Sequence, residues 1–266
     1  MTIILFLALI GIGDALPKDA EIAARIQVAI VNMIKPDNAF VTVKRNGNLS
    51  TTFEKIEIVV DNAVIGKKQT EALNTMSKNS QPAGEGRNIK VKELVIRGEE
   101  ITIGDIAVSH IDFNAANLDI NVLDANTGNF KLNSAGECQA EVVLTEGAIC
   151  AYLRSAGLPI NDPSVRISPN QISVTGTTKT AFGLPVSVTG MLRIRNGETL
   201  YLENPIIRVT GFSVPSIFIK NSILPKLNNI VNINTALIMP VKINITKLQQ
   251  LDGKIMVTAE PVIKKE

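Results

Sequence analysis

Ser109, His110 and Asp112 are the residues of this 266-residue chain whose types come nearest to a reaction centre. A serine, a histidine and a carboxylate perform acyl transfer when nucleophile, base and orienter converge in space. Here they share one alternating run, and a strand sends successive side chains to opposite faces, so nearness in sequence works against a triad. His110 is the chain's single histidine and reads as a structural or surface residue. Cys138 and Cys150 have no further cysteine to join them, which rules out a four-ligand structural zinc site. Two reduced core cysteines and, in an exported protein, a disulfide both stay open. Glu99 and Glu100 fall at an expected turn, where water is their partner. Neither glycine-rich phosphate-binding signature occurs. The residues thus point to no enzyme, with no catalytic residue, no metal and no cofactor.

Composition narrows the alternatives. Hydrophobic residues make up 45% and charged residues 20%, the makeup of a folded chain. Aromatics are only 4%, with no tryptophan, so the interior is built of isoleucine, valine and leucine. Such residues favour strands and would also suit an acyl chain. The net charge of +2, with scattered basic residues, argues against nucleic acid. Residues 1–144 carry 14 Lys/Arg against 18 Asp/Glu and the rest 13 against 7, so the C-terminal part stands at +6. That balance leaves room for peripheral contact with an anionic membrane.

The elements follow from periodicity. Ile3 to Ile12 is almost wholly apolar and too short to span a bilayer. With small residues at Gly13 and Ala15, residues 1–15 read as a signal-peptide-like segment and residues 16–266 as a single domain. Ile22, Ile26, Ala29, Ile30 and Met33 form one face of a helix over Asp19–Met33, ended by Lys35-Pro36. Strands are expected over 40–45, 53–65, 91–96, 101–103, 106–113, 118–122, 130–132 and 139–144. A turn falls at Gly98-Glu99 and a polar loop over 66–86. A short helix should run from Glu146 to Ser155, capped by Thr145 and closed by Gly157. The last third is the most regular. Val186, Val188, Gly190, Leu192 and Ile194 share one face of a hairpin that turns at Asn196-Gly197, with Ser187, Thr189, Arg193 and Arg195 mainly on the other. A helix-like apolar stretch over Val214 to about Leu237, interrupted by Pro225, and two short strands complete the chain.

Several of these pieces, in this order, resemble a known family. They are Ile167-Ser-Pro-Asn-Gln-Ile-Ser-Val-Thr-Gly176, Gly183-Leu-Pro-Val-Ser-Val-Thr-Gly190, Gly197-x-x-Leu-x-Leu-x-x-Pro205, Val209-x-Gly211-x-x-Val-Pro215 and Leu237-x-x-Pro240-Val-x-Ile-x-Ile245 with Asp252-Gly253. Together with Ile56-x-Ile-x-Val and Val91-Lys-Glu-Leu-Val-Ile96, they resemble the LmeA-like phospholipid-binding family over roughly residues 20–263. The resemblance implies an exported bacterial protein of the periplasm or cell envelope that binds phospholipid without catalysis. The implied fold is α+β, similar to the tubular lipid-binding superfamily: a strongly curved antiparallel sheet wrapped around long helices, with an apolar groove between.

On that fold the groove would be lined by Ile22, Ile26 and Ile30 of the first helix, Val188 and Leu192 of the sheet, and Ile219, Ile223, Leu227 and Ile230 of the last helix. The expected partner is a phospholipid or other acyl lipid, with transfer between membranes as an extension of binding. The alternative is an envelope scaffold that acts through a protein partner and fills the same interior with side chains.

Overall fold

The computed structural model describes residues 18–47, 51–66, 87–103, 106–124, 129–155, 157, 160–179, 183–209, 231–232 and 243–261. Helix α1, Asp19–Ile34, opens this part, and Lys35 ends it in a left-handed conformation with its N–H donated to Val31 O. Strands β1 (Asn38–Arg45), β2 (Thr52–Asp61) and β3 (Val64–Ile65) follow. Two long strands come next, β4 (Arg87–Ile103) and β5 (Ile106–Asp124), then β6 (Asn129–Ser134) and β7 (Cys138–Thr145). Helix α2, Glu146–Ser155, separates these from β8 (Ile160–Ser168), β9 (Gln171–Thr178), β10 (Pro185–Arg195) and β11 (Thr199–Val209). The last strands are β12 (Val231–Asn232), β13 (Ile243–Leu251) and β14 (Lys254–Pro261).

The strands form two sheets. The larger runs β1-β2-β4-β5-β7-β14-β13, with β3 added beside β4 and β6 beside β5; the smaller runs β12-β11-β10-β9-β8. Each has open ends, and the larger is mixed, because β2 and β3 pair with β4 in parallel. The expectation of a strongly curved antiparallel sheet wrapped around long helices is therefore corrected. The sheets are open and without strong curvature, and the helices among the described residues have only 16 and 10 residues. Alternation reports which residues face a core and is silent on strand direction. The interval from Asp61 to Arg87 has the dozen or more residues that a parallel connection requires, where the sequence reading saw only a loop.

Other differences are local. The expected turn at Gly98-Glu99 is absent: β4 and β5 keep one register from Arg87↔Val122 to Ile103↔Ile106. Glu100 and Asn117 each take φ of 51° inside these strands, so the punctuation seen in the sequence is a backbone irregularity within a continuous ladder. Val231–Asn232, assigned above to a helix, is a strand paired with Thr199 and Leu200. The rest of the stretch 214–237, including Pro225, lies outside the described residues, as do residues 1–15 and 67–86.

Burial divides the interior into two cores. One holds α1 against β1, β2, β4 and the Ala115–Ile120 end of β5. The other lies among α2, the Ile106–Val108 end of β5, β7, β14, β13 and the inner face of the smaller sheet. Ile111 packs against both. The β10–β11 hairpin behaves as its alternation requires, with Val186, Val188, Leu192, Leu200 and Leu202 buried. Asn196 and Gly197 take φ of 54° and 68° at its turn. Gly190 is needed for a different reason: a Cβ there would lie 2.2 Å from Leu202 Cδ2, which crosses its inner face.

Candidate functional site

The residues that suggested chemistry are dispersed. His110 Nδ1 stands 2.7 Å from Glu99 Oε1. Ser109 Oγ donates to Val143 O at 3.0 Å, and Asp112 accepts from Asn114 Nδ2 at 2.6 Å and lies 3.7 Å from Arg97 Nε. Each is engaged separately. Glu99 is thereby placed in mid-strand with a histidine partner. Cys138 packs against the α1 core and Cys150 against the other, and both are free. Among the described residues no three His, Cys, Asp or Glu side chains are grouped to hold a metal ion.

The interior offers a better candidate where α2 meets both sheets. Ala148, Ile149, Tyr152 and Leu153, at helical spacing, form the stripe that α2 turns inward. The helix is fixed at its first turn by three elements. Thr145 Oγ1 accepts from Ala148 N at 3.3 Å as an N-cap, as the sequence predicts. Glu146 Oε1 accepts from Ile167 N of β8 at 2.7 Å. Gly253, in the β13–β14 turn, accepts from Glu146 N and donates to Ile167 O. Gly157, with φ of 64°, stands just beyond the helix.

Beneath this anchored helix lies a cavity of about 30 Å³, lined by Ile106, Leu144, Ala148, Ile149, Tyr152, Ile172, Leu192, Leu200 and Ile255. Its walls come from α2, one end of the β5–β7–β14 portion of the larger sheet, where Leu144 pairs with Ile255, and β9–β11 of the smaller. The space is small and its lining almost wholly hydrocarbon, a setting that suits an apolar guest. Leu192 is held there by its own backbone, since Leu192 N donates to Gln250 Oε1 of β13 at 3.1 Å.

Among the expected lipid-facing residues, Leu192 lines this cavity and Val188 lies in the same core at 0% exposure. Ile22, Ile26 and Ile30 are buried in the other core, against residues such as Phe53 and Ile120. The structure does not bring these two groups together. Ile219, Ile223, Leu227 and Ile230 lie outside the described residues. The lining from α2, Ile106, Leu144 and Ile255 was missed. Its signal was present in the apolar spacing of Ala148, Ile149 and Tyr152, but nothing local says which sheet face that stripe meets.

A model of the LmeA-like phospholipid-binding family matches residues 87–260. The chain belongs to that family. Membership assigns it a general lipid-binding role in a family that is not catalytic. The LmeA-like match opens at β4 and closes in β14, so it includes every residue of the cavity wall and leaves α1 and β1–β3 outside. No curated protein and no solved structure matches the chain. Among the described residues no helix is long and apolar enough to cross a membrane.

Proposed function

We propose that this LmeA-like chain is an exported protein of the bacterial cell envelope that holds a phospholipid, with an acyl chain inserted beneath α2 between the two sheets. The observation that carries this reading is the all-apolar lining of the cavity, drawn from α2 and both sheets and lying wholly within the family match. At about 30 Å³ the space admits no acyl chain as it stands, so loading requires α2 to lift or the smaller sheet to move. The anchor at Thr145 and Glu146 is then the natural hinge. Val188 and Leu192 form the sheet wall of the site. Ile22, Ile26 and Ile30 are the candidate wall at the second core, and residues 16–266 act as one lipid-binding domain. Transfer between membranes would use the same opening in both directions.

The test is a photoreactive phospholipid offered in vesicles to the delipidated protein, followed by peptide mapping of the crosslinks. Label on α2 and on β10 near Leu192 is expected. Label confined to α1 would move the site to the other core. No label, with no lipid recovered by solvent extraction and mass spectrometry, would favour the scaffold acting through a protein partner.

A further inference from the structure

The smaller sheet turns one face to the core and the other to water, and the watered face has a chemistry that the interior does not use. Arg166, Arg193, Arg195 and Arg208 are all exposed. They alternate with inward residues such as Val165, Ile167 and Leu192, so they share the outer face. Cross-strand register arranges the neighbours in rows. Arg166 stands opposite Ser173, Ser173 opposite Thr189, and Thr189 opposite Ile206. In the adjoining row Ser164 faces Thr175, Thr175 faces Ser187, and Ser187 faces Arg208. At about 4.8 Å per strand and about 3.4 Å per residue, Arg166 on β8 and Arg208 on β11 stand about 16 Å apart, three strands across and one row along a bed of hydroxyls.

The arginines on this face are poorly neutralised. Arg193 pairs with Glu203 at 2.9 Å, and Arg195 lies over the Tyr201 ring at 4.3 Å. Arg166 and Arg208 form no ion pair among the described residues; the sheet's other carboxylates are Asp162, at the irregular start of β8, and Glu198, in the β10–β11 turn. The larger sheet is different: Lys44 pairs with Glu54, Lys55 with Glu57 and Glu93, and Arg97 with Glu57 and Asp112. Four of the 13 basic residues of the C-terminal part thus share one sheet face. That surface also carries an unusual apolar residue, Ile206, 56% exposed and two residues from Arg208.

We propose that the outer face of β8–β11 docks the protein on an anionic phospholipid bilayer, with Arg166 and Arg208 on headgroup phosphates and Ile206 at the acyl boundary. The proposal rests on the lipid-binding reading in taking a bilayer as the anionic partner. Guanidinium groups fit phosphate oxygens bidentately, and serine and threonine hydroxyls add donors between them. An exposed isoleucine beside these groups matches a surface whose charge overlies hydrocarbon. Single-stranded nucleic acid would instead call for aromatic platforms along a groove. Docked this way, the protein presents its smaller sheet to the membrane.

The test is co-sedimentation of the full chain with vesicles of phosphatidylcholine alone and of phosphatidylcholine mixed with phosphatidylglycerol. The parent should favour the anionic vesicles and be released as salt shortens the Debye length from about 10 Å at 0.1 M to about 3 Å at 1 M. R166Q/R208Q should lose about fivefold in partition for each arginine removed. K90Q/K92Q, which deletes the same charge from the larger sheet, should partition like the parent. Equal loss in both double variants, or none in R166Q/R208Q, would overturn the proposal. So would duplex DNA that binds the parent as tightly as the vesicles do and loses as much in R166Q/R208Q. Should R166Q/R208Q fail to fold, R208Q alone carries the same comparison. Mass spectrometry of lipid extracted from each protein reads the interior separately, so an empty cavity with intact docking would sink the proposed function and leave this face standing.

Discussion

Leu192 faces the cavity from a backbone that β13 holds through Gln250, so its side chain can be changed with little movement of the wall. Leu192→Ala should destabilise the delipidated protein by about 3 kcal/mol, through lost transfer energy and a larger void. The same enlargement should leave phospholipid uptake intact or raised, because the new space is apolar. Leu192→Gln should fold and take up at least tenfold less, since an acyl chain cannot satisfy a buried amide. Thermal unfolding beside uptake of a fluorescent phospholipid measures both; equal uptake by L192Q and the parent would remove Leu192 from the site. Cys138 supports a second prediction. Burial pushes its thiol above the ordinary value, against a smaller opposing hydrogen bond with the Ala116 backbone. The folded state therefore keeps a proton that the unfolded chain gives up, and this contribution to stability is lost as pH rises past the unfolded thiol's value. At mildly alkaline pH, iodoacetamide should label Cys138 more slowly than it labels the same cysteine in guanidinium chloride. Neither property was legible in the sequence, which left a disulfide and two reduced core cysteines equally open; Cys138 and Cys150 are free and belong to different cores.

At the scale of elements, α2 is held by side chains that can be removed singly. Thr145→Ala deletes the N-cap and should cost about 1 kcal/mol. If α2 lifts to admit lipid, T145A should also release bound phospholipid faster than the parent does; an unchanged release rate would place the opening elsewhere. Helix α1 has a different anchor. Asp19 accepts from Arg45 Nε and from Arg45 N of β1, and the Arg45 side chain is only 2% exposed. Asp19→Ala should therefore cost about 2 kcal/mol in denaturant unfolding, the scale of a hydrogen bond to a charged group. Helix α1 was legible because its evidence is local: Ile22, Ile26 and Ile30 recur at four-residue spacing, and Lys35-Pro36 stops the run. The hairpin at Asn196-Gly197 was legible for the same reason. The strand runs within β4 and β5 were legible too, but the continuity of β4 was not, because Gly98-Glu99 has the composition of a turn. Only the register with β5 shows that the chain runs straight through it.

For the whole molecule, what escaped the sequence is direction and partnership. Nothing in Thr52–Asp61 says that its neighbour will be Arg87–Ile103 running parallel, and nothing in α2 names the sheets it bridges. The two cores that result share strand β5, and Asp19→Ala tests how independent they are. Native-state amide exchange should quicken in α1, β1 and β2, while β8–β11 keep their protection. Uniform loss of protection would mean that the molecule opens as one unit. The pairing of β7 has one further consequence, in time. One edge of β7 is covered by β5, which precedes it, but the other pairs with β14, from Thr145↔Lys254 to Ala140↔Ala259. At roughly 5–20 residues per second, the ribosome needs on the order of 5–20 s to add the intervening ~110 residues. For that interval Cys138–Thr145 presents an unpaired strand edge to whatever else is being made nearby. The nascent chain therefore passes through a window in which a holding chaperone decides whether it folds or aggregates.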